Sequence, residues 1–496
     1  TRLGEPRLFW GITGGSVDSM VANYTALKKR RKSDDYTPGG INNRRPDRAV
    51  IVYANLIRKY FKNTKPIVLG GIEASLRRIS HYDYWSDSIR RSILFDAKAD
   101  ILVYGMGEKT VIALAEKINK GEDYRDIPGI CYISTKPKQD YLELPSHSRV
   151  VADKLAFIEM FHQFYRNNDP IRGKGLMQLQ DSRYLIQNPP MPCPNQDELD
   201  SYYELPYQRA QHPYYEEQGK VKALETIRFS IPSHRGCYGE CHFCAIAVHE
   251  GRTVHWRSQE SIVREAEQIA ALPDFKGYIL DISGPTANMY GFECGQKLKR
   301  GSCPNKRCIY PTICNQLPVD HTPYINLLRS LRKINSVKKV FVGSGIRYDV
   351  VMADKNHASV IREIACYHVS GQLKVAPEHT QPKVLAKMGK PDVKTLIAFK
   401  NIFDQESKKA GKEQYLTYYL IAAHPGCSDE DMWKLRQFMS EKMRIHPEQV
   451  QIFTPTPSTY SSLMYYTEKD PFTGEDLLVV KDQKAKERQK NILTRE

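Results

Sequence analysis

Short apolar runs alternate with amphipathic stretches along the first 150 residues. Apolar runs of strand length cover residues 66–69 and 100–104, and each is followed by a glycine-containing turn. Amphipathic stretches with helical spacing cover residues 49–60 and 110–119. Strands that end in glycine turns and lead into helices are typical of parallel βαβ units. The pattern therefore predicts an α/β domain with a parallel sheet over residues 1–150, whose ligand-binding edge lies where the strands end.

Residues 151–222 have the composition of a connecting segment. A helical pattern at residues 151–165 is followed, over residues 167–215, by a stretch rich in Pro, Gln, Asn and Tyr. Such a composition does not supply a core of its own. We expect a linker that wraps between two domains, and a lid over a substrate cleft is the alternative.

Residues 223–465 repeat a pattern of apolar run, polar loop and helical stretch. The runs lie at residues 277–281, 339–342, 372–375, 415–421 and 450–453. The repeat predicts a parallel α/β barrel or part of one, with its active site on the loops after the carboxyl ends of the strands. Residues 466–496 end in a charged helical pattern, which predicts a basic tail or a docking helix.

Composition narrows the class of protein. The 496 residues are 41% apolar, which is enough for two or three globular domains. No apolar run reaches the roughly 18 residues needed to span a bilayer. The first residues hold neither a signal segment nor an initiator Met, so we expect the sequence to begin inside a longer chain. Seven of the 11 cysteines fall within residues 237–314, which indicates metal binding in a cytoplasmic protein rather than a disulfide scaffold.

The chain is strongly basic. A net charge of +16 favours anionic substrates or polyanionic partners such as nucleic acid. The basic residues are spread along the chain, with short runs at residues 28–32, 44–48 and 481–490. Solvated surfaces explain such runs equally well.

Three closely spaced cysteines carry the most specific chemical signal. Cys237, Cys241 and Cys244 have a C-x3-C-x2-C spacing in a short loop after a strand-like run. This spacing lets one loop surround a single small inorganic centre. A four-iron cluster fully ligated by protein takes four thiolates, so three leave one iron with an open coordination position. An open position is what a metal site needs in order to bind and act on a small molecule.

The spacing, with Phe243 before the last cysteine, resembles the signature of the radical S-adenosylmethionine (SAM) superfamily. The resemblance implies that Cys237, Cys241 and Cys244 hold a [4Fe-4S] cluster and that SAM chelates the open iron, with Phe243 beside the cofactor. The reduced cluster cleaves SAM to methionine and a 5′-deoxyadenosyl radical in that superfamily. The resemblance further implies a partial TIM-type (β/α)6 barrel over residues 223–465 and an electron donor such as flavodoxin or ferredoxin.

The same resemblance assigns SAM contacts to the loops after later strands. One turn stands where the superfamily often has Gly-Gly-Glu-Pro, whose backbone contacts the SAM amino group. Later loops stand where the ribose, the carboxylate or the substrate is bound, and an arginine suits a carboxylate through its fork of donors. The residues are Ser283, Gly284, Pro285 and Thr286 in the turn, and Ser344, Gly345, Arg347, Lys374, Glu378 and His379 in the loops.

Several segments together resemble the YgiQ-type radical SAM proteins over nearly the whole chain. They are residues 233–237, 281–290, 373–380, 424–426, 453–459 and 464–467. The N-terminal pattern resembles the cobalamin-binding-like, Rossmann-type domain that precedes many radical SAM cores. The cobalt-ligating Asp-x-His-x-x-Gly loop of that domain is absent from the sequence, and His81 does not lie in such a motif. We therefore expect the fold without cobalamin binding.

A second group of cysteines lies in an apparent insertion at residues 293–314. Cys294, Cys303, Cys308 and Cys314 fall in a segment rich in Lys, Arg, Gly and Pro and poor in core residues. Four thiolates would close a structural zinc site or hold a second iron–sulfur cluster. The pattern predicts a second metal site, and free thiols on an irregular loop are the alternative.

Three functions are consistent with these patterns. The first is a radical SAM enzyme with an unidentified substrate. The second is a zinc-containing nucleic-acid-binding protein without catalysis, in which His234, His242 or a distant cysteine completes the zinc site. The third is a radical SAM enzyme that modifies RNA. Methylthiotransferases of that kind carry a further N-terminal three-cysteine cluster, whereas only Cys131 and Cys193 precede residue 237 here.

Overall fold

The computed structural model describes residues 4–448 and 450–494 as an α/β chain. The strands are β1 Trp10–Thr13, β2 Ile67–Gly70, β3 His81–Asp83, β4 Ser88–Arg90, β5 Ile101–Val103, β6 Ile130–Ser134, β7 Leu142–Leu144, β8 Leu176–Gln180, β9 Arg183–Gln187, β10 Ser230–Pro232, β11 His234–Arg235, β12 His255–Trp256, β13 Tyr278–Ile279, β14 Asp281–Ser283, β15 Lys339–Val340, β16 Gln372–Glu378, β17 Tyr415–Ala422 and β18 Gln451–Ile452.

The α-helices are α1 Ser19–Asn23, α2 Ala49–Tyr60, α3 Gly71–Ser75, α4 Ile93–Ala97, α5 Glu108–Lys120, α6 His147–Ala152, α7 Lys154–Arg166, α8 Gln196–Tyr203, α9 Leu224–Ile227, α10 Ile246–His249, α11 Gln259–Ala270, α12 Gly295–Arg300, α13 Thr322–Leu331, α14 Tyr348–Met352, α15 His357–Tyr367, α16 Pro382–Met388, α17 Lys394–Lys409, α18 Asp429–Phe438, α19 Tyr460–Thr467 and α20 Gln483–Thr494. Short 3-10 helices lie at Pro38–Gly40 and Pro213–Gln218, and a π-helical turn lies at Met439–Met443.

The N-terminal half is built on one mixed sheet of seven strands in the order β1-β2-β5-β6-β9-β8-β7. The predicted parallel pairing holds for β1, β2 and β5, whereas β6 joins β5 antiparallel and β8 and β9 form a hairpin. The hairpin is dictated by its two-residue turn, because parallel neighbours need a crossover of a dozen or more residues. Two strands of the sheet thus come from within residues 151–222, and the predicted irregular segment is interrupted by this hairpin and by α8.

The C-terminal half is an open array of parallel strands. β10 pairs with β14, β13 pairs with β15, and β16 pairs with β17, which pairs with β18. A parallel bridge between Ile346 and Val375 joins β15 to β16. β13 and β14 are consecutive parts of one extended segment and occupy one position in the array. Among the described residues the array therefore has six strand positions in chain order, and helices lie in the connections. The predicted fold class, α/β with an N-terminal sheet followed by an array of parallel strands, is confirmed.

The two halves share one continuous apolar core. Helix α7 of the N-terminal half packs on α19, where the Phe161 and Tyr460 rings lie 4.8 Å apart. The Ser458 hydroxyl donates to the carbonyl of Leu76 over 2.7 Å. The C-terminal segment is a docking helix, since Ile492 and Leu493 on α20 are buried in this core. No helix among the described residues has the length and apolar character to cross a bilayer.

Lys486 on α20 is a buried cation between the two halves. Its Nζ donates to the hydroxyls of Tyr84, from the N-terminal half, and Tyr465, over 3.1 and 2.9 Å. Burial, and then the charge of Lys28, lower the pKa of Lys486 to about 8.

We expect the titration of Lys486 to raise the free energy of unfolding by about 1 kcal/mol between about pH 7 and pH 9. In that range the unfolded chain keeps the lysine proton, because its pKa is about 10.4, while the folded chain releases it. Raising the pH therefore favours folding. Urea denaturation of Lys486→Met should lack this rise, and Lys484→Met, an exposed position on the same helix, should retain it. Equal pH dependence in the two variants would contradict the assignment.

Candidate metal and cofactor site

The three-cysteine loop runs from the end of β11 to the start of α10 and is held at both ends. The Cys237 amide donates to the Gly251 carbonyl over 3.2 Å, and the His242 amide donates to the Met388 carbonyl over 2.9 Å. Gly236 opens the loop at φ +81, and a Cβ there would overlap the carbonyl oxygen of Thr253. Only glycine combines this backbone conformation with this close approach.

The loop also makes a charged contact with the N-terminal sheet. Arg235, next to Gly236, donates to the Glu108 carboxylate over 2.7 Å. Glu108 begins α5, directly after the glycine turn that follows β5. The edge of the N-terminal sheet at which the sequence predicted ligand binding therefore supports the cysteine loop.

Two of the thiols face a buried guanidinium. Arg347 Nη1 lies 3.7 Å from Cys241 Sγ, and the Gly239 amide donates to Cys237 Sγ over 3.3 Å. A Cβ at Gly239 would lie 3.1 Å from Cys237 Sγ and 3.2 Å from Arg347 Nη1, so this glycine leaves room for the sulfurs and the guanidinium.

Burial keeps the thiols of Cys237 and Cys244 protonated in the absence of a metal. Burial, and then the neighbouring Cys241, raise the pKa of Cys237 to about 11. The same two causes raise the pKa of Cys244. Since a bound cation favours the thiolate form, the loop suits a metal centre better than free thiols.

The donor set fits a cluster better than a single ion. Within residues 4–448 and 450–494, no three His, Cys, Asp or Glu side chains converge closely enough to hold one metal ion. In an iron–sulfur cluster each thiolate ligates its own iron, so the sulfurs need not converge on one point. Three soft thiolates on one loop therefore fit three irons of a four-iron cluster.

Arg347 is fixed by its own network. Its guanidinium is paired with Asp349, and its backbone amide donates to Asn288 Oδ1 over 2.8 Å. Asn288 Nδ2 lies 3.1 Å from His321 Nε2, and His321 Nδ1 lies 2.8 Å from Asp354. Two of the guanidinium nitrogens are thus taken by Asp349, and the third points at the cysteine loop. The resemblance assigned Arg347 to the ribose and carboxylate of SAM, which stays a prediction; in this structure its remaining N–H group lies against sulfur.

Several predicted cofactor residues line one cleft of about 620 Å³ inside the strand array. The predicted members are Ser283, Gly284, Pro285, Ser344, Gly345 and Lys374. Asp281 also lines the cleft, where it accepts hydrogen bonds from the Gly343 amide and the Ser344 hydroxyl. Burial raises the pKa of the Asp281 carboxyl. At Gly284 a Cβ would overlap the His234 ring, so the close contact of this turn with the strand before the cysteine loop requires glycine.

The other predicted cofactor residues lie outside this cleft. Glu378 is buried, its pKa raised by that burial, and lies 3.5 Å from Lys390 Nζ. His379 is fully buried; one ring nitrogen accepts from the Gln381 amide, and the other lies 3.6 Å from Cys427 Sγ. Thr286 is half-buried beyond the cleft. Phe243 packs in the loop with its ring edge toward His424 at 6.4 Å.

The second cysteine group lies on a segment that has a small apolar core of its own. Phe292, Ile309 and Leu317 pack around Tyr238, next to the first cysteine of the loop. The sequence predicted too few core residues for residues 293–314, because part of this core, Phe292 and Leu317, lies just outside that segment. Cys294 is buried, Cys303 is exposed, and Cys308 and Cys314 are half-buried. The second metal site stays a prediction.

Comparison with known proteins identifies the family. The family described as Radical SAM N-terminal matches residues 1–230, and a domain of unknown function, DUF3362, matches residues 448–495. A UPF0313 protein of Fusobacterium nucleatum is 58% identical over all of this chain and 87% of its own length. A UPF0313 protein of Thermotoga maritima is 48% identical over 99% of this chain and 87% of its own length. The chain belongs to the UPF0313 family of YgiQ-type radical SAM proteins. The predicted family is thus confirmed.

Two solved radical SAM structures resemble this UPF0313 chain more distantly. TsrM, a radical SAM methyltransferase of Kitasatospora setae solved with tryptophan substrate and a SAM analog, has a TM-score of 0.48 and 16% identity over 91% of this chain and 65% of its own. OxsB, solved with aqua-cobalamin and SAM, has a TM-score of 0.46 and 13% identity over 85% of this chain and 46% of its own. For the UPF0313 chain, the absence of cobalamin binding stays a prediction.

Sequence reasoning missed the residues that position Arg347. Asp349 follows Arg347 by two positions, and that spacing could have suggested the pair. Asn288, His321 and Asp354 carry no such signal, because each is more than 30 residues from its neighbour in the network. Asp281 could have been found as an acidic residue at the end of an apolar run.

Gly236→Ala tests the geometry of the loop in this UPF0313 protein. The left-handed conformation costs a non-glycine residue about 1–2 kcal/mol, and the methyl group must in addition displace the Thr253 carbonyl. We expect a lower denaturation midpoint and less iron per chain after anaerobic reconstitution. Gly121→Ala, at φ +72 with open space around its Cβ, carries the conformational cost alone and should bind iron normally. Equal iron content in the two variants would exclude the steric role of Gly236.

Proposed function

We propose that this protein is a radical SAM enzyme that holds a [4Fe-4S] cluster on Cys237, Cys241 and Cys244 and binds SAM at the iron without a protein ligand. The bound cluster and SAM supply reductive cleavage of the sulfonium to a 5′-deoxyadenosyl radical, which abstracts hydrogen from a substrate. The observation that carries the proposal is a half-buried three-thiol loop, two of whose sulfurs face a fixed guanidinium. Membership of the UPF0313 family supports the same class of chemistry.

Arg347 has an electrostatic task in this proposal. A site with three thiolates is rich in negative charge, and burial makes that charge costly. Arg347 brings a positive charge and an N–H donor to the sulfurs, and hydrogen bonds to sulfur are among the factors that set cluster potentials. Asp349 holds the guanidinium in place, so that the donor does not have to be ordered when the cluster forms.

The cleft beside Gly284 offers complementary groups for SAM. The methionine end of SAM carries an ammonium and a carboxylate, and the cleft holds an acidic side chain, Asp281, and a basic one, Lys374. The Ser283–Pro285 backbone and the Ser344 hydroxyl supply further polar groups. Because Arg347 is committed to Asp349 and to sulfur, we assign recognition of the SAM carboxylate to Lys374.

The alternative functions find less support in the geometry. A zinc site needs four ligands around one ion, yet among the described residues no three His, Cys, Asp or Glu side chains converge closely enough to hold one. An RNA substrate fits the net charge of +16, but the further N-terminal cysteine cluster of the methylthiotransferases is missing from the sequence. A flavodoxin- or ferredoxin-type reductant and a cytoplasmic location complete the proposal, since the cluster must receive electrons in a reducing environment.

Single replacements Cys237→Ala, Cys241→Ala and Cys244→Ala should each abolish the cluster. After anaerobic reconstitution we expect loss of the brown iron–sulfur absorbance near about 400 nm and, with SAM and dithionite, loss of 5′-deoxyadenosine. Cys193→Ala and Cys366→Ala, isolated half-buried cysteines, should keep both signals. Zinc without iron in the wild-type protein, or an intact cluster in the loop variants, would refute the proposal.

A further inference from the structure

A second cavity lies against the cysteine loop and encloses about 820 Å³. The loop contributes Glu240 and His242 to its wall. The rest comes from α7, Asp169, Arg172, Arg252, residues 302–311, the end of α16 and residues 460–473. None of the three thiols lines this cavity, and it shares no lining residue with the cleft that holds Asp281. Its volume lies within the range of about 300–1,000 Å³ that is typical of small-molecule sites.

Three buried polar atoms on side chains that line this cavity have no hydrogen-bond partner among the described residues. They are Arg252 Nε, His242 Nε2 and Ser302 Oγ, on residues that are 8%, 4% and 6% exposed. Because His242 Nδ1 donates to the Lys387 carbonyl over 2.7 Å, Nε2 is the acceptor of the neutral ring. Buried polar groups are normally satisfied, so a donor, an acceptor and a hydroxyl left open in one cavity indicate a polar ligand.

Positive charge exceeds negative charge around the cavity. Its wall holds Arg166, Arg172, Arg252, Lys306, Arg307 and Lys387, against Asp169, Glu240 and Asp470.

The carboxylates are already engaged within the protein. Asp169 accepts from backbone amides, Glu240 accepts from the Tyr165 hydroxyl over 2.9 Å, and Asp470 is paired with Lys387. Arg166, Arg172 and Arg307, by contrast, make no ion pair with any carboxylate in the described part of the chain. Several guanidinium groups without an ion-pair partner suit a phosphate better than a single carboxylate. A phosphate is doubly charged and can accept two hydrogen bonds from one guanidinium fork.

An aromatic surface lies beside these cations. The Phe472 ring stacks on His242 with centroids 5.2 Å apart and contacts Tyr460 at 4.8 Å, and Phe472 is 51% exposed. The Arg307 guanidinium lies within 6 Å of the Phe472 and Tyr460 ring centroids. An exposed aromatic face next to a guanidinium is the arrangement that stacks a planar ring.

We propose that this cavity binds a phosphorylated small molecule that carries a planar ring and is about the size of a mononucleotide. The phosphate is bound by Arg307, with Arg166 and Arg172 at the entrance, and the ring stacks on Phe472. His242 Nε2 accepts a hydrogen bond from the ligand, and Arg252 Nε donates one. The site is separate from the SAM cleft, and its occupancy does not depend on the proposed radical chemistry.

Calorimetric titration of the reconstituted full chain with AMP tests this site. AMP should bind, and adenosine, inorganic phosphate and 4-hydroxybenzoate should each bind at least about tenfold more weakly, because each lacks the phosphate or the ring. Saturating SAM should leave AMP binding unchanged. No AMP binding at millimolar concentration, displacement of AMP by SAM, or 4-hydroxybenzoate binding as tightly as AMP would each overturn the proposal.

Variants locate the binding in the cavity. Arg307→Gln should weaken AMP binding at least about tenfold. The double variant Arg166→Gln with Arg172→Gln should weaken AMP binding as much, without altering a buried contact. Phe472→Leu should weaken the binding of AMP and of adenosine but leave the binding of inorganic phosphate unchanged.

The matched controls are Arg125→Gln, an exposed arginine on the N-terminal half, and Tyr60→Leu, an exposed ring on α2 that is 67% accessible. Both should bind AMP as the wild-type chain does. If the double arginine variant and Arg125→Gln bind AMP equally, the cavity is not the phosphate site.

Discussion

The structure depends on the way in which the cysteine loop is held between the two halves of the chain. Gly236 lies against the Thr253 carbonyl, Arg235 reaches Glu108 at the edge of the N-terminal sheet, and His242 is bonded to the end of α16. These contacts come from three separate regions and fix a segment that has little regular structure of its own. A loop held in this way needs no reorganisation when it ligates a metal centre, which is the condition for preorganised chemistry.

The buried charge beside the loop follows the same principle. A guanidinium costs free energy when it leaves water, and it is stable in the interior only when it is paired and hydrogen-bonded. Asp349 pairs the Arg347 side chain, and Asn288 fixes its backbone through both an amide and a carbonyl. The His321–Asp354 contact in turn orients Asn288. Asp349, Asn288, His321 and Asp354 together hold Arg347 so that one of its guanidinium N–H groups points toward sulfur.

The sequence predicted those features that local chemistry determines. The spacing of the three cysteines, the limits of α2, the parallel strands of the C-terminal half and the glycine turn at Gly284 all have local signals. The β8–β9 hairpin was assigned to a linker because neighbouring Pro- and Asn-rich residues masked two short strands. The contact of Arg347 with Cys241 could not be predicted, because 106 positions separate the two residues and only the fold brings them together.

The structure holds two spaces of different chemistry. The cleft combines Asp281 with Lys374, which suits a zwitterion, whereas the cavity lined by Glu240 and His242 combines aromatic rings with arginines that have no ion-pair partner among the described residues. The insertion that carries the second cysteine group forms part of the cavity wall, and Arg307 from it donates to the Glu240 carbonyl over 3.0 Å. The insertion therefore has a structural task that requires no metal: it closes the cavity and supports the loop at the Glu240 carbonyl. Arg307 thus contacts both the cavity and the loop backbone next to Cys241.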